Sequence, residues 1–137
     1  MIQPVWAPAV LKSQLPLEHL TAPAPWAGHI PFAFWCVFAL RPRLFVELGS
    51  YSGISYFAFC QSIDAFATGT RAHAIDTWDG DPHAGFYGEG VYADFRERHQ
   101  RYEAFSTMHR TTFDQACDKF DDQSIDLLHI DGLHTYD

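Results

Sequence analysis

Phe45-Val46-Glu47-Leu48-Gly49-Ser50-Tyr51-Ser52-Gly53-Ile54-Ser55 decides the fold of this chain. It reads as a buried strand, a glycine-spaced turn and the first turn of an amphipathic helix. A strand–turn–helix of this kind presents backbone N–H groups to a bound cofactor, with a carboxylate at the strand end. Glu47 lies two residues before the first glycine, where a loop that cradles phosphate would not want negative charge. The arrangement suits a cofactor with a cationic part.

Outward from this turn, strands and helices alternate. Leu44–Leu48 reads as the first strand and Ser52–Phe66 as the helix after it. Arg71–Asp76 reads as a second strand ending on an acid, and Phe105–His109 as a third. Thr112–Phe120 reads as a helix with Thr111 or Thr112 as its N-cap, and Ser124–Asp131 as a fourth strand. A further exposed helix is expected over Val91–Tyr102. Ahead of the first strand, a helix is expected from Pro31 to just before Arg41-Pro42, because proline is tolerated in a first helical turn and restricts the residue before it. Its nearly continuous apolar surface predicts burial between the sheet and another element. The pattern is that of an α/β, Rossmann-like, doubly wound parallel sheet of which four strands are present. Residues 1–29 are proline-rich and read as a lead-in or linker, with residues 30–137 as the domain. A sheet ending on the fourth strand would leave an open edge beside the ligand crevice, so a fragment of a longer reading frame is expected.

The 137 residues suffice for one domain with a real core. Nine Lys and Arg against 17 Asp and Glu give a formal net charge of −8, so the basic footprint of a nucleic-acid binder is missing. Cys36, Cys60 and Cys117 form no Cys-x-x-Cys pair and read as small buried hydrophobes. The apolar run Ile30–Leu40 is too short for a bilayer, which needs about 20 residues. The N-terminus has no signal-peptide pattern, and a soluble cytoplasmic protein without a membrane partner is expected.

Ligands of doubly wound sheets bind at the carboxyl ends of the strands, where Glu47, Asp76 and Asp131 fall. Asp76 is placed to accept hydrogen bonds from a ribose diol, or else caps its loop. Asp131 reads as a strand-end acid or as the first residue of an Asp-Gly turn, and His134 as a base or a loop histidine. His129 lies within the strand and is expected in the core. His29, His73, His99 and His109 read as structural or surface residues. The glycine- and aromatic-rich loop from Asp76 to Gly88 is too elaborate for a simple connector. It reads as a lid, with Trp78 placed to contact adenine and His83 and Tyr87 toward an acceptor.

The stretch 46–55 resembles the first motif of metal-dependent, S-adenosylmethionine (SAM)-dependent O-methyltransferases of the catechol type, with Tyr51 where many methyltransferases have a middle glycine. Leu127-Leu128-His129-Ile130-Asp131-Gly132-Leu133-His134-Thr135-Tyr136 is similar to the sugar-modifying, macrocin-type branch. The resemblance covers residues 30–137. It implies that Glu47, Gly49, Tyr51 and Ser55 line the methionine end of SAM, with Asp76 on the ribose; Ser50 and Gly53 of the same turn and Trp78 of the loop are counted with them as cofactor-binding residues. It also implies that Asp131 is a ligand of a divalent metal, Mg²⁺ by its oxygen preference, and that His134 is the general base, with further acidic ligands after a fifth strand. The implied activity is metal-assisted methyl transfer to a hydroxyl of a sugar or glycosylated metabolite, in a homo-oligomer or beside a glycosyltransferase. Two other readings stand against it. One is a non-catalytic docking or regulatory module of the same fold. The other is an NAD-dependent oxidoreductase, which Tyr51 disfavours because pyrophosphate needs close backbone approach there.

Overall fold

The computed structural model describes residues 24–82 and 85–132, together with Lys12. Helix α1 spans Ile30–Leu40, with proline in its first turn. It ends on Arg41 in the left-handed conformation (φ 43°), whose N–H donates to Val37 O, and Pro42 follows. Strand β1 is Leu44–Leu48, α2 is Ile54–Phe66 and β2 is Arg71–Asp76. A two-residue antiparallel ladder, β3 (Gly80–Asp81) with β4 (Gly85–Phe86), precedes α3 (Glu89–His99). A 3-10 turn over Gln100–Tyr102 leads to β5 (Ser106–Arg110), then α4 (Phe113–Cys117) and β6 (Leu127–Ile130).

The main sheet is parallel and ordered β5-β2-β1-β6. The chain builds outward from β1 through β2 to β5, then crosses back to pair β6 with the other side of β1. This reversal of direction places a topological switch point between β1 and β6. Side chains alternate across the sheet, as the pleat requires. Phe45 of β1 joins the large core beneath α1 and α2, which includes Phe34, Val37, Tyr56 and Phe59. Leu44 and Val46 face the smaller core with Ile75 and Ala116. Asp126 pins the start of β6 to β1, its carboxylate accepting the N–H groups of Arg43 (2.8 Å) and Leu44 (3.1 Å). Ser124–Asp126 is spent on this junction, so β6 is shorter than the expected Ser124–Asp131.

Other expectations are modified too: the exposed helix runs Glu89–His99 rather than Val91–Tyr102, and the third strand Ser106–Arg110 rather than Phe105–His109. One side of α1 packs on the core, while Phe32, Trp35 and Leu40 on its other side are exposed. Cys36 and Cys60 are buried, but Cys117 is exposed, on the outer side of the short α4. The helix expected over Thr112–Phe120 stops at Cys117, although Thr112 is its N-cap, accepting Gln115 N–H through its side chain. Among the described residues no helix is long and apolar enough to cross a membrane.

Candidate functional site

The carboxyl ends of β1, β2 and β6 open into one cavity of about 690 Å³. Its floor is the glycine turn, with Gly49, Ser50, Tyr51 and Ser52, and the start of α2 at Ile54 and Ser55. Asp76 and Thr77 after β2 form one wall, continued by Gly80, Asp81 and Tyr87 of the β3–β4 segment. Thr112, Phe113 and Asp114 at the start of α4 form another, and Asp131 and Gly132 after β6 close it. Of the residues expected at a cofactor, Gly49, Ser50, Tyr51, Ser55, Asp76 and Asp131 line this cavity.

Gly49 sits where two strand ends converge. Its φ is +86°, and a Cβ there would lie 2.6 Å from Asp131 O and from the Gly132 backbone. Its N–H donates to Ile75 O at 2.9 Å, so the turn is tied to β2 as well. Only glycine meets both the left-handed backbone and the close approach. Gly53 does not line the cavity. It caps α2 at φ +85°, and its N–H closes the turn on Ser50 O at 2.7 Å.

Between these glycines Tyr51 also has a left-handed backbone (φ 42°), a costly conformation for a bulky residue that its surroundings must impose. The clamp is visible. One oxygen of the Asp76 carboxylate accepts the Tyr51 N–H (2.8 Å) and the other accepts the Trp78 N–H (2.7 Å). Trp78, itself at φ 55°, returns its indole N–H to Tyr51 O at 3.0 Å. Asp76 thus caps its own loop and the glycine turn together, and each oxygen keeps acceptor capacity toward the cavity.

Trp78 does not line the cavity. Its ring is fully buried against Phe95 (4.9 Å between centroids) and Tyr92 (5.4 Å), and it supports the Tyr51 turn from behind. The sequence places it beside the ribose acid, but its burial comes from α3, whose packing no local spacing reveals.

Glu47 does not line the cavity either. Its side chain is fully buried, with Oε2 at 2.8 Å from Nδ1 of His129, its register partner on β6. The Ser50 and Ser55 hydroxyls lie beside the same carboxyl group. Burial pushes the Glu47 carboxyl above its usual range, offset only in part by His129 and the two serines. Burial acts to lower the His129 pKa, but the hydrogen bond and charge of Glu47 outweigh it, and His129 is raised. Trp26, at the cavity rim, stands edge-on to the His129 ring at 5.5 Å. His129 is therefore a half-buried partner of Glu47 beneath the cavity floor.

Asp131 is exposed at the end of β6, its N–H bonded to Leu48 O at 2.8 Å. His134 and His83 lie outside the described residues. Among the described residues no three His, Cys, Asp or Glu side chains converge as a metal site would require, so the described residues do not by themselves hold a divalent ion. The charged side chains on the described wall are Asp76, Asp81, Asp114 and Asp131, all acidic. Tyr87 stands against Tyr51, ring centroids 4.7 Å apart. Burial raises the Tyr87 hydroxyl above its ordinary pKa, reinforced by the charges of Asp76 and Asp81. Sequence reasoning missed Trp26 and the Thr112–Asp114 wall. The rule that ligands collect at strand carboxyl ends would have found the latter, since it follows β5 directly.

A parallel sheet with a glycine turn at the switch point and an acid at a strand end is the doubly wound, Rossmann-like class of α/β fold. The chain belongs to the methyltransferase domain family, whose model matches residues 46–137. It is 48% identical over 128 residues to the uncharacterized protein y4gI of Sinorhizobium fredii, an alignment spanning 93% of this chain and 14% of that protein. Among solved structures it resembles SAH-bound methyltransferase PaMTH1 of Podospora anserina (TM-score 0.58, 13% identity, 96% of this chain and 51% of that one). It also resembles a candidate O-methyltransferase of Klebsiella pneumoniae (TM-score 0.57, 17% identity, 96% and 55%). The chain thus spans about half the length of these structures and a small part of its curated relative. At these identities the structural likeness speaks for the fold.

Proposed function

We propose that this domain binds SAM in the switch-point cavity and serves methyl transfer to a hydroxyl of a small-molecule acceptor, a sugar or a glycosylated metabolite. The observation that carries the reading is the clamped glycine turn facing an acidic cavity. Backbone groups of Gly49–Ser52 and the open N-terminus of α2 meet the methionine part. Asp76 accepts from the ribose diol, and the carboxylates on the wall favour a cofactor bearing sulfonium and ammonium charge. Two solved neighbours, described as an SAH-bound methyltransferase and a candidate O-methyltransferase, support the same reading.

In the transfer, an acceptor oxygen attacks the methyl carbon, the carbon–sulfur bond breaks and its electron pair stays on sulfur. The hydroxyl proton needs an acceptor. His134 takes this role in the reading drawn from the strand-four motif, because imidazole, with an unperturbed pKa of about 6.5, accepts protons near neutral pH. Asp131 would give a divalent ion one oxygen ligand, the remaining ligands lying outside the described residues. A homo-oligomer or association with a glycosyltransferase is part of the same proposal.

The test uses the full-length polypeptide and radiolabelled SAM with a panel of glycosides, with and without EDTA. Transfer that EDTA abolishes and Mg²⁺ restores is expected. His134→Ala should cost about 100-fold or more in turnover while SAM affinity stays within about twofold. Loss of SAM affinity in that variant would contradict its role as base, and EDTA-insensitive transfer would contradict the metal.

A further inference from the structure

Arg110 ends β5 opposite Asp76 in the parallel register, at the carboxyl edge where the cavity opens. In a site whose described charged wall is wholly acidic, a neighbouring arginine is the obvious cation to meet an anionic group of a ligand. Its contacts assign it elsewhere. Nε donates to Thr77 O at 3.1 Å, Nη1 to Glu89 Oε2 at 3.0 Å, and Nη2 to both Asp79 Oδ1 (3.2 Å) and Glu89 Oε1. The guanidinium also lies 4.5 Å from the centre of the Tyr92 ring, which itself packs on Trp78. Every nitrogen of the fork is engaged.

The choice of partners matters more than their number. Asp79 and Glu89 stand immediately before and after the segment 80–88, which contributes Gly80, Asp81 and Tyr87 to the cavity wall. One side chain therefore ties both ends of that segment to the end of β5. At the base of the segment Tyr87 N–H also reaches Asp79 O at 3.3 Å, and β3 and β4 are two residues each. Isolated exposed ion pairs contribute little. A bidentate fork, a second carboxylate, a carbonyl and an aromatic face gathered on one guanidinium form a network with directional demands that lysine cannot meet.

We propose that Arg110 is a positioning residue for the cavity, holding the two ends of segment 80–88 so that Tyr87 stays against Tyr51 and completes the wall over the glycine turn. The proposal rests on the SAM-site reading above for the identity of the ligand, but not for the ordering of the wall.

The full-length protein and its Arg110→Gln, Arg110→Lys and Glu89→Gln variants can be compared by hydrogen–deuterium exchange, by calorimetric titration with SAH and by thermal melting. In Arg110→Gln, the amides of Gly80, Asp81 and residues 85–88 should exchange about tenfold faster, with exchange in β1 and β2 unchanged. The SAH dissociation constant should rise about tenfold, and the melting temperature should move by less than about 3 °C. Arg110→Lys should fall nearer Gln than wild type, and Glu89→Gln should reproduce a smaller version of both effects. Unchanged exchange at those amides would overturn the proposal, as would faster exchange with unaltered SAH affinity. A wild-type protein that binds no SAH would instead defeat the SAM-site reading and with it the ligand half of this proposal. The exchange comparison would then report on the ordering of the wall alone.

Discussion

Asp76 and Glu47 are both strand-end acids in the sequence, yet they do different work. Asp76→Asn keeps the shape of the side chain but offers one acceptor oxygen where two are used, and sets an NH₂ group against either the Tyr51 or the Trp78 N–H. A lost charge-assisted bond plus an unsatisfied donor costs about 2 kcal/mol, and the left-handed Tyr51 backbone relaxes with it. SAM affinity is expected to fall at least about tenfold, measurable by titration. Unchanged affinity would show that the clamp does not shape the site. Glu47 lies beneath the floor, and its substitution reads out as stability. Glu47→Ala removes the partner of His129 and opens a hole in the core, with an expected loss of about 3 kcal/mol in urea unfolding. Glu47→Gln, which keeps an oxygen for His129 Nδ1–H, should lose less than half of that.

At the scale of elements, β2 and β5 carry a pair of histidines that no spacing in the sequence marks as partners. His73 Nδ1 and His109 Nε2 are 2.8 Å apart with rings nearly parallel at 7°, and Phe120 stands edge-on to His73. Burial lowers the His73 pKa to about 4, helped by the charges of His109 and Arg71, and burial with Lys119 lowers that of His109. Both shifts are downward. The unfolded chain therefore binds these protons first, and the stability the pair contributes is present above about pH 6.5 and lost as pH falls toward 4. Denaturant midpoints should decline across that window, and His73→Asn should flatten the decline; an unaltered slope would contradict the linkage.

Elements bounded by local signals were legible. Leu44–Leu48 and Arg71–Asp76 match their expected strands residue for residue, because a buried run between turn residues marks its own ends. The parallel α/β class followed from their alternation with helices. What was not legible depends on contacts distant in sequence. Asp126 shortens β6 by capping β1, and α3 draws Trp78 out of the cavity lining. The pairing of Glu47 with His129 needed the β1–β6 register, which spans more than eighty residues of chain. The candidate site was legible at Gly49, Asp76 and Asp131, which sit at strand ends, and at Tyr51 in the glycine turn that follows β1. Its Tyr87 wall was only suggested by the aromatic loop, and Arg110 was not suggested at all.

At the scale of the molecule, two groups of side chains divide the work across the sheet. The aromatic core under α1 and α2 fixes β1 and β2, and with them the clamped turn. The thinner packing on the other side, around Val46, Ile75 and Ala116, carries α4 and its wall residues to the cavity mouth. The net charge of −8 and the four acidic side chains on the described wall set the same preference, for a cationic cofactor over a polyphosphate one. The central claim is that the switch-point cavity is a SAM site. It is tested most directly by calorimetric titration of the full-length protein with SAM, SAH and NADH in parallel. The account predicts one site per chain for SAM and SAH with micromolar or tighter dissociation constants, weakened by Asp76→Asn, and no heat with NADH. Absence of SAM and SAH binding at micromolar concentration, or preferential binding of NADH, would contradict it.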